Sequence, residues 1–285
     1  MFFSKMVDYF MTLTALMSAL NYYLRYMMFR FLLIIAALAF STNNYAYERV
    51  VLLAPAAGDL FIQLQQQHKV VGVTRNNDDF KDALKIGSHI KPNIELIKSL
   101  NPDLIIIDST RFFSDEMASL LGAKTVIYNP VTLNAVLEQI HHLGTLLDCP
   151  NQANELVTTL TQVLQKIKPL VKKPSVIYEV TQMPLTIAGK GNIVSDIIHS
   201  AGGELMAPST RKLIKFNVES VLVSQPDYYL YQIGPMNPNP QPPETRQLYK
   251  MLPSKFIQVE QLSYSRANSQ SFYIAAELNR QFNKS

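Results

Sequence analysis

From Glu48 onward, short all-apolar runs alternate with stretches whose apolar residues recur every three or four positions. Arg49 to Ala54 reads Arg-Val-Val-Leu-Leu-Ala and stops at Pro55, which predicts a strand buried on both faces. Asp59 to Gln67 has helical spacing, and Val70-Val71-Gly72-Val73 predicts a second strand. Ile94 to Leu100 predicts a helix that Asn101-Pro102-Asp103 ends, followed by a strand over Leu104 to Ile107. A helix closing at Gly122 and a strand over Thr125 to Tyr128 continue the alternation.

Leu133 to Leu147 then predicts one helix. Pro150 suits a helix start, and Ala153 to Leu170 is free of glycine and of proline before Pro169. Leu156, Leu160, Val163, Leu164 and Ile167 give that stretch an apolar stripe. Beyond Pro174 the alternation resumes with strands over Ser175 to Val180, Leu185 to Ala188 and Tyr228 to Gln232. Helical segments cover Ile193 to Ser200, Val218 to Ser224 and Gln270 to Phe282, and a proline-rich loop spans Pro235 to Pro243. Apolar strands alternating with helices predict an α/β fold of two lobes, each a parallel sheet flanked by helices, joined by one long backbone helix. The expected divisions are residues 47–149, the linking helix 150–172, and residues 173–285.

Residues 1–46 follow a different pattern. A broken apolar stretch, Tyr9 to Leu24, precedes the purer run Phe31 to Phe40, which follows Arg25 and Arg30 and gives way to Ser41-Thr42-Asn43-Asn44. A positive start, a short apolar run and small residues after it predict a cleaved secretory signal, with Ala39-Phe40-Ser41 or Asn44-Tyr45-Ala46 at the cut. Met27 or Met28 would serve as a start for that signal. No cysteine follows the run to take a lipid anchor, so a soluble periplasmic protein is expected. The competing reading is an anchor retained in the membrane.

Composition narrows the classes. A net charge of +4 with scattered basic residues gives no stripe for nucleic acid. The single cysteine, Cys149, excludes an intramolecular disulfide framework and cysteine-based metal clusters. No nucleophile elbow, phosphate loop or His-Glu-x-x-His pattern occurs, so no enzymatic activity is expected and an exported α/β enzyme is the weaker alternative. His141 and His142 are adjacent on a helix and point about 100° apart, so they cannot share a metal. Gly189-Lys190-Gly191 reads as a strand-to-helix turn rather than a dinucleotide loop, because Val194 stands where the third glycine is needed.

One phrase is repeated. Asn93-Ile94-Glu95 is followed, seven residues after the glutamate, by Pro102-Asp103 and an apolar strand; Asn217-Val218-Glu219 is followed at the same spacing by Pro226-Asp227 and Tyr228. A glutamate in the first turn suits the helix dipole. The repeat predicts duplicated architecture, with one exposed glutamate at a helix start in each lobe.

With Val51-Leu52-Leu53-Ala54-Pro55, Ile86-Gly87 before the first glutamate phrase, Ala188-Gly189-Lys190-Gly191 and Ala201-Gly202-Gly203-Glu204, the chain resembles the class III periplasmic binding proteins that serve importers of vitamin B12, haem and ferric siderophores. The resemblance covers roughly Glu48 to Phe282. It implies a monomer without an intrinsic cofactor that captures a small iron or cobalt chelate and hands it to an ABC permease dimer in the inner membrane. It also implies that Glu95 and Glu219 dock on the permease, and it matches Arg266 to an arginine before the last helix. Haem or a ferric siderophore is favoured over cobalamin, because tryptophan is absent and arginines are available. The first loop, Ala56-Ala57-Gly58-Asp59, departs from the threonine and glutamate usual there.

The candidate ligand contacts follow from chemistry at strand ends. His89, between Gly87 and Pro92, offers an imidazole to a metal centre or a carboxylate, and is a candidate axial ligand. Arg75, Arg111 and Arg211 suit anionic oxygens, and Lys190 sits in the glycine turn. Tyr178, Gln182 and Tyr231 fall near second-lobe strand ends, where they would stack on or hydrogen-bond a flat ligand.

Overall fold

The structure, a computed structural model, describes residues 11, 16–17, 20–31 and 46–284. It divides into two units, Met1–Tyr45 and Ala46–Ser285. In the first, residues 20–31 form a helix (α1) with exposed apolar side chains such as Tyr22, Leu24 and Phe29. Among the described residues no helix is long and apolar enough to cross a membrane. The apolar run beyond Phe31 and the Ala39 cleavage motif lie outside the described residues, as do Asn44 and Tyr45.

The second unit holds both lobes. In the first lobe, β1 (Val50–Leu52), β2 (Val70–Val73), β3 (Leu84–Lys85), β6 (Leu104–Ile107) and β7 (Lys124–Ile127) form a wholly parallel sheet in the order β3-β2-β1-β6-β7. A small hairpin, β4 (Gly87–Ser88) and β5 (Lys91–Pro92), projects beside it. The helices are α2 (Gly58–Gln63), α3 (Ile94–Ser99), α4 (Asp115–Leu121) and α5 (Leu133–Leu146). α2 is shorter than expected, because Gln65 turns left-handed at φ 60°. α4 ends as expected at Gly122, whose φ of 64° needs no side chain.

The second lobe departs from the expected all-parallel sheet. β8 (Ser175–Thr181), β10 (Glu204–Leu205), β12 (Tyr228–Ile233) and β13 (Lys255–Glu260) run parallel, but β9 (Thr186–Ala188) and β11 (Leu213–Lys215) pair antiparallel at the edge. The tight turn over Met183-Pro184 returns the chain directly, so no crossover helix imposes a parallel direction. Its helices are α7 (Ile193–Ser200), α8 (Val218–Ser224), α9 (Gln261–Ser265) and α10 (Gln270–Asn283).

The linking helix, α6 (Pro150–Gln165), starts at Pro150 as expected but stops before Leu170. Asn279 of α10 captures the Lys168 backbone, accepting from its N–H and donating to its carbonyl, so that turn is held in a non-helical form. Pro169 then disfavours helix at Lys168 and supplies no N–H of its own. α6 is also not the sole link between lobes. Ile193 and Ile197 of α7, with Phe272 and Ala275 of α10, belong to the first lobe's core. Val194, Ile198, Leu278 and Phe282 of the same helices belong to the second.

The repeated phrase builds equivalent corners. Asn93 Oδ1 caps α3 by accepting from Leu96 N–H at 3.1 Å, and Asn217 Oδ1 caps α8 from Ser220 N–H at 2.7 Å. The Asp103 carboxylate accepts the N–H groups of Glu48 and Arg49 just before β1, while Asp227 accepts the Ser175 N–H and hydroxyl at the start of β8. Each aspartate carbonyl also accepts the N–H that opens the next strand, Lys124 in one lobe and Lys255 in the other. Val50 pairs with Leu104 as Val176 pairs with Tyr228, so the two frames superpose residue for residue.

Candidate functional site

The carboxyl ends of the parallel strands in both lobes open onto one cavity of about 600 Å³. Small-molecule sites are typically about 300–1,000 Å³ and occur at such strand ends. The first lobe contributes Ala54-Pro55-Ala56 after β1, Thr74-Arg75-Asn76 after β2, Asp108 after β6 and Tyr128 to Val131 after β7. His89, at the tip of the β4–β5 hairpin, completes that wall. The second lobe contributes Asn192 and Ile193 at the start of α7, Lys212 and Leu213 at β11, Pro235 and Met236 after β12, and Arg266 and Ala267 before α10.

The wall is cationic. Arg75, Lys212 and Arg266 face one acid, Asp108, and neither Arg75 nor Lys212 forms a salt bridge among the described residues. The Lys212 ammonium instead donates to Asn129 Oδ1 across the lobes at 2.8 Å. Arg266 stands near Glu260. Burial pushes that carboxyl up, but the Leu262 and Ser263 N–H groups, the Ser263 hydroxyl and the arginine outweigh it and hold it below its ordinary value. The Thr74 hydroxyl is buried in the wall without a hydrogen-bond partner among the described residues, and such a group favours a polar ligand atom. Tyr128 forms part of the floor. Its hydroxyl donates to the Ala267 carbonyl at 2.6 Å, and burial, then nearby Asp59, pushes its pKa up.

Met236 is about half exposed, on a loop that is firmly tied down. Its N–H donates to buried Gln261 Oε1 at 2.7 Å, and Asn237 Nδ2 bonds the Gln232 carbonyl. Further along, Arg246 makes a bidentate pair with fully buried Glu179, at 2.5 and 2.8 Å, and the Tyr229 hydroxyl donates to the same carboxylate at 2.5 Å.

Of the residues singled out by sequence, three line this cavity: Arg75, His89 and Arg266. The others lie elsewhere. Tyr178 is buried in the second core, tilted against Tyr264 with its hydroxyl donating to Gln232, because the strand register turns it inward. Tyr231 packs on the opposite face of the same sheet and bonds Gln258. Gln182 braces the proline-rich loop through Asn237 and Gln241. Arg111 lies over the Phe112 ring, 5.2 Å from its centroid, outside the wall. Lys190 and Arg211 belong to a backbone crossing: a side chain at Gly189 or Gly191 would overlap the carbonyls of Arg211 and Thr210, which is why that turn needs glycine. Sequence reasoning missed Lys212, Met236, Asp108 and Tyr128. Asp108 directly follows a predicted strand and Tyr128 ends one, so the strand-end rule was the available signal.

Glu95 and Glu219 are exposed in the first turns of α3 and α8, and neither has an ionic or hydrogen-bonded side-chain partner among the described residues. Both lie at the amino end of a helix, whereas the cavity gathers strand carboxyl ends.

A sequence profile of the periplasmic binding protein family matches residues 50–259. The chain belongs to that family. This binding protein is 30% identical over 160 residues to the high-affinity heme uptake system protein IsdE of Staphylococcus aureus, covering 53% of this chain and 54% of the relative. It thus matches about half the length of the curated relatives it resembles. Solved structures share the two-lobed fold more widely. IsdE complexed with heme superposes with a TM-score of 0.69 at 22% identity, over 82% of this chain and 98% of that one. An ABC transporter substrate-binding protein from Listeria monocytogenes gives 0.70 at 16%, over 84% and 100%. The periplasmic vitamin B12 binding protein BtuF of Vibrio cholerae gives 0.67 at 19%, over 84% and 97%.

Proposed function

We propose that this protein is the extracytoplasmic substrate-binding subunit of an ABC importer, capturing an anionic metal chelate and delivering it to a membrane permease dimer. The observation that carries the reading is the cationic cavity between the lobes, where Arg75 and Lys212 form no salt bridge among the described residues, Arg266 adds a third cation, and His89 and Met236 stand on opposite lobes. Arginine and lysine suit carboxylate or catecholate oxygens. Imidazole and thioether are side chains that ligate haem iron. Haem or a ferric siderophore therefore ranks ahead of cobalamin, in keeping with the heme-uptake relative. Nothing in this reading calls for chemical conversion of the ligand. Export by the amino-terminal segment and delivery through Glu95 and Glu219 belong to the same proposal.

Titration of the purified protein with haemin, a ferric hydroxamate siderophore and cobalamin, followed by absorption, tests it. Haemin or the ferric complex is expected to give a saturable spectral change. His89→Ala is expected to weaken that binding by about 1–3 kcal/mol without moving the ligand-free melting temperature. No spectral change with any of the three overturns the reading.

A further inference from the structure

Two carboxylates cross between the lobes in opposite directions. Asp59, in the first turn of α2, reaches from the first lobe to the second and accepts the N–H of Ser269, the residue that opens α10, at 3.0 Å. Asp196, in the first turn of α7, reaches from the second lobe to the first and accepts the N–H of Leu133, the first residue of α5, at 2.7 Å. A helix start leaves N–H groups unpaired and carries partial positive charge, so a carboxylate there makes a charge-assisted bond. Each lobe thus supplies the acid that caps a helix of the other.

Both bonds lie at the roots of the cavity wall. Asp59 follows the Ala54 to Ala56 wall segment and Ser269 follows Ala267; Asp196 follows Ile193 and Leu133 follows Val131. Between them the Tyr128 hydroxyl reaches the Ala267 carbonyl. These bonds hold the wall where the two sheets face each other, a task the shortened α6 does not perform alone.

We propose that Asp59 and Asp196 are positioning residues, a reciprocal pair of pins that fix the separation of the lobes and so the width of the cavity and the spacing of Glu95 and Glu219. The consequence for capture and docking rests on the function proposed above; the lobe spacing does not.

Spin labels at Lys98→Cys on α3 and Val223→Cys on α8, with Cys149→Ala, read the distance between the two glutamate-bearing helices in the full chain without ligand. The parent is expected to give one narrow distance. Asp59→Ala with Asp196→Ala is expected to broaden it and shift it to longer values while the protein still melts in one transition. The Asp59→Asn and Asp196→Asn pair keeps an acceptor oxygen at each site and is expected to stay nearer the parent. Asp103→Ala, which cuts a tie within one lobe, is expected to lower the melting temperature without moving the distance. A distribution for the folded double alanine variant that superimposes on the parent overturns the proposal. Should that variant not fold, the single alanine variants carry the same test, and two unchanged distributions overturn it. Absence of chelate binding would remove the capture reading and leave the pins standing.

Discussion

The two lobes share a frame and differ in what fills one face of it. Superposed on their Pro-Asp corners, Val51, Leu53, Ile105 and Ile107 in the first lobe correspond to Ile177, Glu179, Tyr229 and Tyr231 in the second. The first face is closed with aliphatic side chains. The second buries a carboxylate, which Arg246 and the Tyr229 hydroxyl satisfy completely. Arg246 belongs to the long connection between β12 and β13, the loop that carries Met236 into the cavity wall. The lobes agree in what sets strand register and differ in the ion pair that anchors the loop between β12 and β13. A buried ion pair offers little net stability over a packed apolar pair, but breaking it is expensive.

That difference gives the largest expected effect. Glu179→Leu places the first lobe's residue in the second and leaves Arg246 buried without its partner. It is expected to cost about 3–5 kcal/mol in chemical denaturation. Adding Arg246→Met completes the conversion and is expected to recover most of the loss, since apolar replacements of buried pairs are often neutral or stabilising. A single variant as stable as the parent would mean that the loop is held by other contacts.

The next prediction probes where the lobes are alike. Glu95→Arg and Glu219→Arg are each expected to leave melting and ligand affinity near those of the parent while reducing uptake through the cognate permease in vesicles, the double variant most. Charge reversal at a docking contact adds like-charge repulsion. Unequal single effects would show that the matched corners are used unequally, and full uptake by the double variant would remove the docking role.

The smallest effect concerns the corners themselves. Asp103→Asn and Asp227→Asn are each expected to lower stability by roughly 1 kcal/mol, the scale of a hydrogen bond. The Ser175 N–H and hydroxyl, with Lys172 beside them, hold the Asp227 carboxyl below its ordinary 3.8. A carboxyl depressed in the folded state contributes stability that is present above its unfolded pKa and is lost as pH falls through the folded one. The gap between parent and Asp227→Asn is therefore expected to be constant at neutral pH and to close in acid below about pH 4, as followed by melting curves across that range.

Much of the frame was legible in the sequence because its signals are local. All-apolar runs marked β1, β6 and β12, the repeated phrase at Asn93 and Asn217 marked two helix starts, and Gly122 marked a helix end. β13 was missed because Lys255, Gln258 and Glu260 break its apolar pattern at a sheet edge. The site was less legible, since which side chain faces a cavity depends on register and on chain crossings. Tyr178 and Tyr231 look like ligand platforms in sequence, yet β8 and β12 place them in the cores on opposite faces of the sheet. Lys212 gains its place only because residues 209–212 cross over Gly189 and Gly191. Met236 gains its place from Gln261, which lies 25 positions further along the chain.

The helices common to both cores also constrain how the chain folds as it is made. The first lobe's interior is finished by Ile193 and Ile197, and then by Phe272 and Ala275 close to the carboxyl terminus. A ribosome-bound chain holding only the first 150 or so residues has the sheet and the helices α2 and α5 but lacks the part of the covering that α7 and α10 supply. Sequential folding, in which an amino-terminal domain completes before the next emerges, would leave this core without those four side chains. Its earliest-synthesised core remains unfinished until nearly the last residues are added.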